Sequence, residues 1–217
     1  VSRGRARRGP GASVSSGEAE LQARLMLAEQ KLLMQTAKLQ VMQEVARVSS
    51  GDVSKDEMLE LFMDVVLRTT RADHGSILLL DHDRKRLHFQ CVRGPASAKL
   101  KSLTLPVGEG IAGWVAQHGE SLIVPEAEND QHPLPAEATL EAGPVRSVIC
   151  IPLRWQERTL GVIELLNYRV TSLTDYTIGF LHVLCDYAAI AIQNVRSIQR
   201  IQELTITDDC TGLFNSR

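Results

Sequence analysis

Residues 20 to 48 contain neither glycine nor proline and are rich in good helix formers, which commits 29 consecutive residues to one helix. Leu25, Leu32, Leu39 and Ala46 recur every seven residues, and Leu21, Ala28, Gln35 and Met42 form a second stripe between them. Such spacing builds a coiled-coil seam. At 1.5 Å per residue the helix is roughly 40 Å long, more than one small domain can cover. The seam predicts a stalk that pairs in a parallel homodimer. A helix folded back on its own domain stays open as the alternative, because Leu27, Met34 and Val41 lie off the seam.

What surrounds this helix differs in character. Residues 1–17 carry Arg3, Arg5, Arg7 and Arg8 among Gly, Ser and Pro, with little to bury, and read as a disordered basic tail. Residues 18–50 form the coiled-coil helix. Beyond it the chain, 44% apolar and 23% charged overall, can build an ordinary core. With 24 basic and 26 acidic residues the net charge is −2, so no global field draws the chain to nucleic acid or to an anionic membrane. No run approaches the roughly 20 apolar residues that span a bilayer, and no signal peptide is recognised. Cys91, Cys150, Cys185 and Cys210 are scattered and form no close pair, which fits a reducing cytoplasm.

Ser54 followed by Glu57 predicts a capping box that opens a second helix, with Met58, Leu61, Phe62, Val65, Val66 and Thr69 on its buried face. Residues 75–80 (GSILLL) and 87–92 predict a hairpin across the turn residues 81–83. Residues 102–107 are extended, Gly108-Glu109-Gly110 leads into a short helix at 111–118, and 121–124 are extended again. A long proline-bearing loop follows, with at most one helical turn near residues 136–140. Long loops of this kind are often lids. Residues 146–153 and 159–166 predict a second hairpin, and Thr174 caps a last helix whose apolar positions run from Leu184 to Ile198 and on to Ile201 and Leu204. Hairpin, helix, hairpin, with helices before and after, is an α+β antiparallel sheet.

Three stretches carry a resemblance: VGEGIAGWVAQHGESLIVPEA at 107–127, RSVICIPLRWQERTLGVIELLN at 146–167, and DYAAIAIQNV at 186–195. Together they resemble the GAF domain family over residues 53–198. A second resemblance follows a linking helix at 199–206. TDDCTGLFNSR at 207–217 is similar to the opening segment of GGDEF (diguanylate cyclase) domains, with Asp209, Cys210 and Ser216 departing from the commonest residues. It reads as the truncated start of such a domain, whose metal-binding carboxylates and glycine-rich turn come later in that family. These 217 residues are therefore not expected to act as an enzyme on GTP.

The resemblance implies a sensory domain that binds a small molecule between sheet and loop, although some relatives serve only as spacers. Asn167 is followed by Tyr168 and Arg169, so the lysine and acid common in cyclic-nucleotide binders of the family are missing. No Cys-His dipeptide of the bilin-binding kind occurs. No cofactor or metal is identified; His118 and His132 flank the long loop without a clear ligand set. The candidate pocket residues are Phe89, Cys91, Trp114, Arg146, Cys150 and Glu164. Phe89 and Cys91 are expected to share a strand face at the cavity or in the core. Trp114 lines the pocket or packs as core, and Cys150 is a small buried hydrophobe or a redox group. Glu164 is the one acid in an apolar strand. It is either buried, with Arg146 as its partner, or turned to solvent or to a dimer partner. The expected function is regulation of a GGDEF output through helices in a dimer. A ligand-free spacer is one alternative, and a redox enzyme of the methionine-sulfoxide-reducing kind is another.

Overall fold

A computed structural model describes residues 12–50, 54–81, 83, 85–94, 100–132, 144–168 and 173–206. The basic tail through residue 11, the expected helical turn at 136–140 and the GGDEF-like segment 207–217 lie outside the described residues. The chain divides into two compact units, Val1–Leu39 and Gln40–Arg217. Helix α1 (Ala12–Ser50) starts well ahead of residue 20. Along it Leu21, Leu25, Leu32 and Leu39 are 59% to 67% exposed, and Ala28, Gln35, Met42 and Ala46 are exposed as well. The heptad seam is thus left uncovered along its length, whereas Met34 and Ala37, off that seam, are buried.

Helix α2 (Lys55–Thr70) opens with the expected capping box: Glu57 N–H donates to Ser54 Oγ at 3.2 Å, and Ser54 N–H donates to Glu57 Oε2 at 3.0 Å. Met58, Leu59, Phe62, Met63, Val65 and Val66 form its buried face, and Arg71 ends it in the left-handed conformation at φ 54°. Strands β1 (His74–Asp81) and β2 (Arg86–Arg93) form the first hairpin, followed by β3 (Thr104–Pro106). Helix α3 (Gly110–His118) leads to β4 (Leu122–Val124) and a 3-10 turn at Ala127–Asn129. Strands β5 (Val148–Trp155) and β6 (Arg158–Leu166) form the second hairpin, and helix α4 (Asp175–Ile206) follows. The six strands make one antiparallel sheet in the order β3-β2-β1-β6-β5-β4, an α+β architecture.

Both faces of this sheet are covered, which explains why β1, β5 and β6 read as near-continuous apolar runs rather than strict alternations. One face carries Ile77, Ile149, Ile151, Ile163 and Leu165 against α2 and α4. Gly75 belongs to it: a Cβ there would strike Met63 Sδ of α2. The other face, with Leu78, Phe89, Val148, Cys150, Val162 and Leu166, packs against Ile111, Ala112, Val115 and Ala116 of α3.

Thr174 caps α4 as expected, accepting from Thr177 N–H at 3.2 Å. Leu181, Leu184, Cys185, Ala188, Ala191 and Ile192 are buried, and further along Ile198 and Ile201 emerge into solvent. The stretch Asp175–Ile198 is, by length and composition, apolar enough to cross a membrane. This corrects the expectation that no such run exists. Its apolar residues largely serve the core, since one side of the helix packs on β5 and α2.

Candidate functional site

The face of the sheet beneath α3 is the candidate site. Its roof is set by Gly108 and Gly110, whose positive φ values of 89° and 64° turn the chain from β3 into α3. A Cβ on Gly113 would come within 2.5 Å of Pro106 O, so only glycine lets α3 sit this close to β3. Trp114, half-buried, packs against the apolar cluster under the helix. Its indole stacks on His118 at 4.3 Å and meets His132 at 5.3 Å, tilted by 56°. His118 Nδ1 lies 2.9 Å from Trp114 O, and His132 Nδ1 lies 2.9 Å from Asp130 Oδ1. Asp130 also accepts from His132 N–H at 2.8 Å, closing a turn that brings the loop back to Trp114.

The far end of that loop is pinned by Asn167. In a left-handed conformation at φ 56°, which asparagine tolerates, its Oδ1 accepts from Arg146 N–H at 2.8 Å. Its Nδ2 donates to Pro144 O at 3.1 Å, and its own N–H donates to Ser147 O at 2.8 Å. Ala127 N–H donates to Arg146 O at 2.8 Å, tying the chain after β4 to the chain before β5. Of the expected lid, which follows β4, residues 133–143 lie outside the described residues, but both segments that bound them are fastened to the domain.

The floor is a cross-strand row. Register places Val92 beside Ser76, Ser76 beside Glu164, Glu164 beside Cys150 and Cys150 beside Leu122, across β2, β1, β6, β5 and β4. Cys150 belongs to the cluster under α3, and so do Val162 and Leu166 on either side of Glu164, so the glutamate points to this face. Glu164 is 6% exposed and has no hydrogen-bond or ionic partner among the described residues. Burial pushes its carboxyl up to about 7, with no opposing cation. Burial, and then the nearby Glu164 charge, raises the Cys150 thiol well above its ordinary value.

The structure gathers Phe89, Trp114, Cys150 and Glu164 around this face and removes two expected members. Cys91 does not share a face with Phe89. The β1–β2 register slips between Ile77 and Leu78, pairing Ile77 with Cys91 and Leu78 with Phe89, so a bulge turns Cys91 to the α2 side. There burial raises its thiol to about 11. Arg146 does not meet Glu164 either. It is exposed and lines a separate crevice of about 370 Å³ with Arg71, Asp73, Ser147 and Asn167. The expectation of a solvent-facing Glu164 is likewise replaced by a buried one. Ser76 and Asn167 were not among the expected site residues. The signal for Ser76 was available as the one hydroxyl in the GSILLL run, and Asn167 betrays itself only through its left-handed backbone.

This architecture matches known proteins. Over 73% of its length the chain is 23% identical to a probable 3',5'-cyclic phosphodiesterase, pde-5, of Caenorhabditis elegans, and spans 23% of that protein's length. The GAF domain of a phosphoenolpyruvate-protein phosphotransferase from Coxiella burnetii superposes with TM-score 0.67 at 19% identity, over 78% of this chain and 98% of that one. The free methionine-R-sulfoxide reductase of Neisseria meningitidis, solved with its substrate, superposes with TM-score 0.61 at 17% identity, over 79% and 92% of the two chains. The model of the GAF domain family matches residues 54–192, from the cap of α2 to the middle of α4, and the chain belongs to that family.

Proposed function

We propose that this chain is the sensory and regulatory part of a cytoplasmic signalling protein, acting in a homodimer on a GGDEF output through α4. The observation that carries the reading is the continuity of α4. One helix is packed on the sheet through Leu184, Ala188 and Ile192, then runs on to Ile206, next to the segment that resembles a GGDEF opening. A helix without breaks transmits rotation, whereas a flexible linker dissipates it. The exposed seam of α1 supports pairing of two copies. Reductase chemistry, as in the Neisseria neighbour, fits less well. Cys91, Cys150 and Cys185 are buried and their thiols are held protonated, the reverse of what a reactive thiolate needs.

The test uses a protein that continues beyond Arg217 into a complete GGDEF domain, with insertions placed after Ile198. Each added residue turns the output by about 100°, so two residues rotate it by about 200° and four by about 40° net. Cyclic di-GMP synthesis should follow helical phase, with four-residue insertions close to the parent and two-residue insertions far from it. Equal activity across insertions of one to seven residues would sink the mechanism.

A further inference from the structure

On the α2–α4 side of the sheet, the row Cys91, Ile77, Ile163, Ile151 is apolar from end to end. On the α3 side, the adjoining row holds Ser76, Glu164 and Cys150, flanked by Val92 and Leu122. Two features of the polar row belong together. The carboxylate of Glu164 has no partner among the described residues, although the residue is more than nine-tenths buried. Both cross-strand neighbours, moreover, are small. In the next row the neighbours of Val162 are Leu78 and Pro152, which fill the space beside it. Beside Glu164 stand instead Ser76 and Cys150, both smaller than those neighbours, with Phe89 and Trp114 in the surrounding apolar cluster.

From this geometry we propose that Ser76, Glu164 and Cys150 form an anchoring subsite for the cationic nitrogen of a small ligand, a protonated amine or amidine carried on an apolar body. An ionised carboxylate only accepts hydrogen bonds, and a cation supplies both the donors and the counter-charge that the surrounding strands withhold. Ser76 Oγ accepts a further N–H of the same group. The apolar body lies against the aliphatic side chains and Phe89, and the aromatic faces favour the cation. An anionic ligand would meet the charge of Glu164 without any compensating base. The glutamate thus sets the sign of the ligand, and the small neighbours set the size of its head group. This inference rests on the sensory reading above and names the ligand class for it.

The probe is benzylammonium, compared with neutral benzyl alcohol, titrated by calorimetry at pH 8 into the full chain and into Glu164→Gln and Ser76→Val. The chain should bind benzylammonium below about 10 mM, within reach of a ligand of this size. Glu164→Gln should weaken it by about tenfold or more while leaving benzyl alcohol within twofold. Ser76→Val, which adds bulk beside the carboxylate and keeps the charge, should weaken the amine as well. Thermal unfolding establishes that each variant is folded, and should Ser76→Val fail to fold, the Glu164→Gln comparison decides alone. Absence of benzylammonium binding to the parent chain, or equal binding to Glu164→Gln, overturns the proposal. Either result leaves the dependence on helical phase standing, so failure of the ligand class and failure of the sensory mechanism are told apart.

Discussion

Glu164 binds its proton more tightly in the folded chain than in the unfolded one, because burial lifts its carboxyl from 4.5 to about 7. The stability this contributes is fully present below about pH 4.5 and is lost as pH rises through about 7. At 1.36 kcal/mol per unit, the difference across that window is about 3 to 4 kcal/mol at most. Between pH 5 and pH 8 the melting temperature of the free chain should therefore fall by about 6 to 12 °C more than that of Glu164→Gln, which has no proton to release. Parallel pH profiles for the two proteins would show that the carboxyl is solvated in the folded state. The residue announces itself in the sequence as the lone acid of an apolar strand. That it does not pair with Arg146 was not legible, since such pairing requires the two side chains to meet. The Asn167 bracket instead holds the Arg146 backbone beside the crevice at the end of β6.

Strands, helices and their order were readable from periodicity and caps, because each depends on neighbours within a few residues. Ser54 with Glu57, Thr174, and the two glycines before α3 all act locally and mark element ends where the structure has them. The β2 bulge is different. It lies at Gln90, just past the part of β2 that pairs with β3, and nothing in the alternation of residues 87–92 signals that one residue is passed over, so the alternation puts Cys91 on the wrong face. Gly161 is the tighter of the two strand glycines: a Cβ there would collide with the Leu78 carbonyl of the adjacent strand. Since that atom belongs to the backbone of a central strand, it cannot move aside cheaply. Gly161→Ala should cost about 2 kcal/mol or more in urea unfolding, within the range for overpacked cores. A change under about 0.5 kcal/mol would mean that β1 and β6 separate easily, contrary to their paired register from His74 to Leu79.

At the level of the whole molecule, the exposed leucines of α1 bear on the proposed pairing of two copies. Four leucines at seam positions cannot all face water at working concentrations without cost, and a second copy supplies the same stripe. Light scattering at tens of micromolar should report a dimer for the chain, and Leu25→Lys with Leu32→Lys should convert it to monomer with unchanged thermal unfolding of the GAF domain. A monomeric parent chain would refute pairing through α1. The sheet constrains association in a second way. Its outermost strands, Thr104–Pro106 and Leu122–Val124, are three residues each, and Pro106 has no N–H to offer. Each outermost strand thus offers another chain only three residues of backbone, a poor template for strand addition. Where the domain is joined to new inputs and outputs, copied in tandem or crowded in a complex, these two edge strands give edge-to-edge aggregation little to extend.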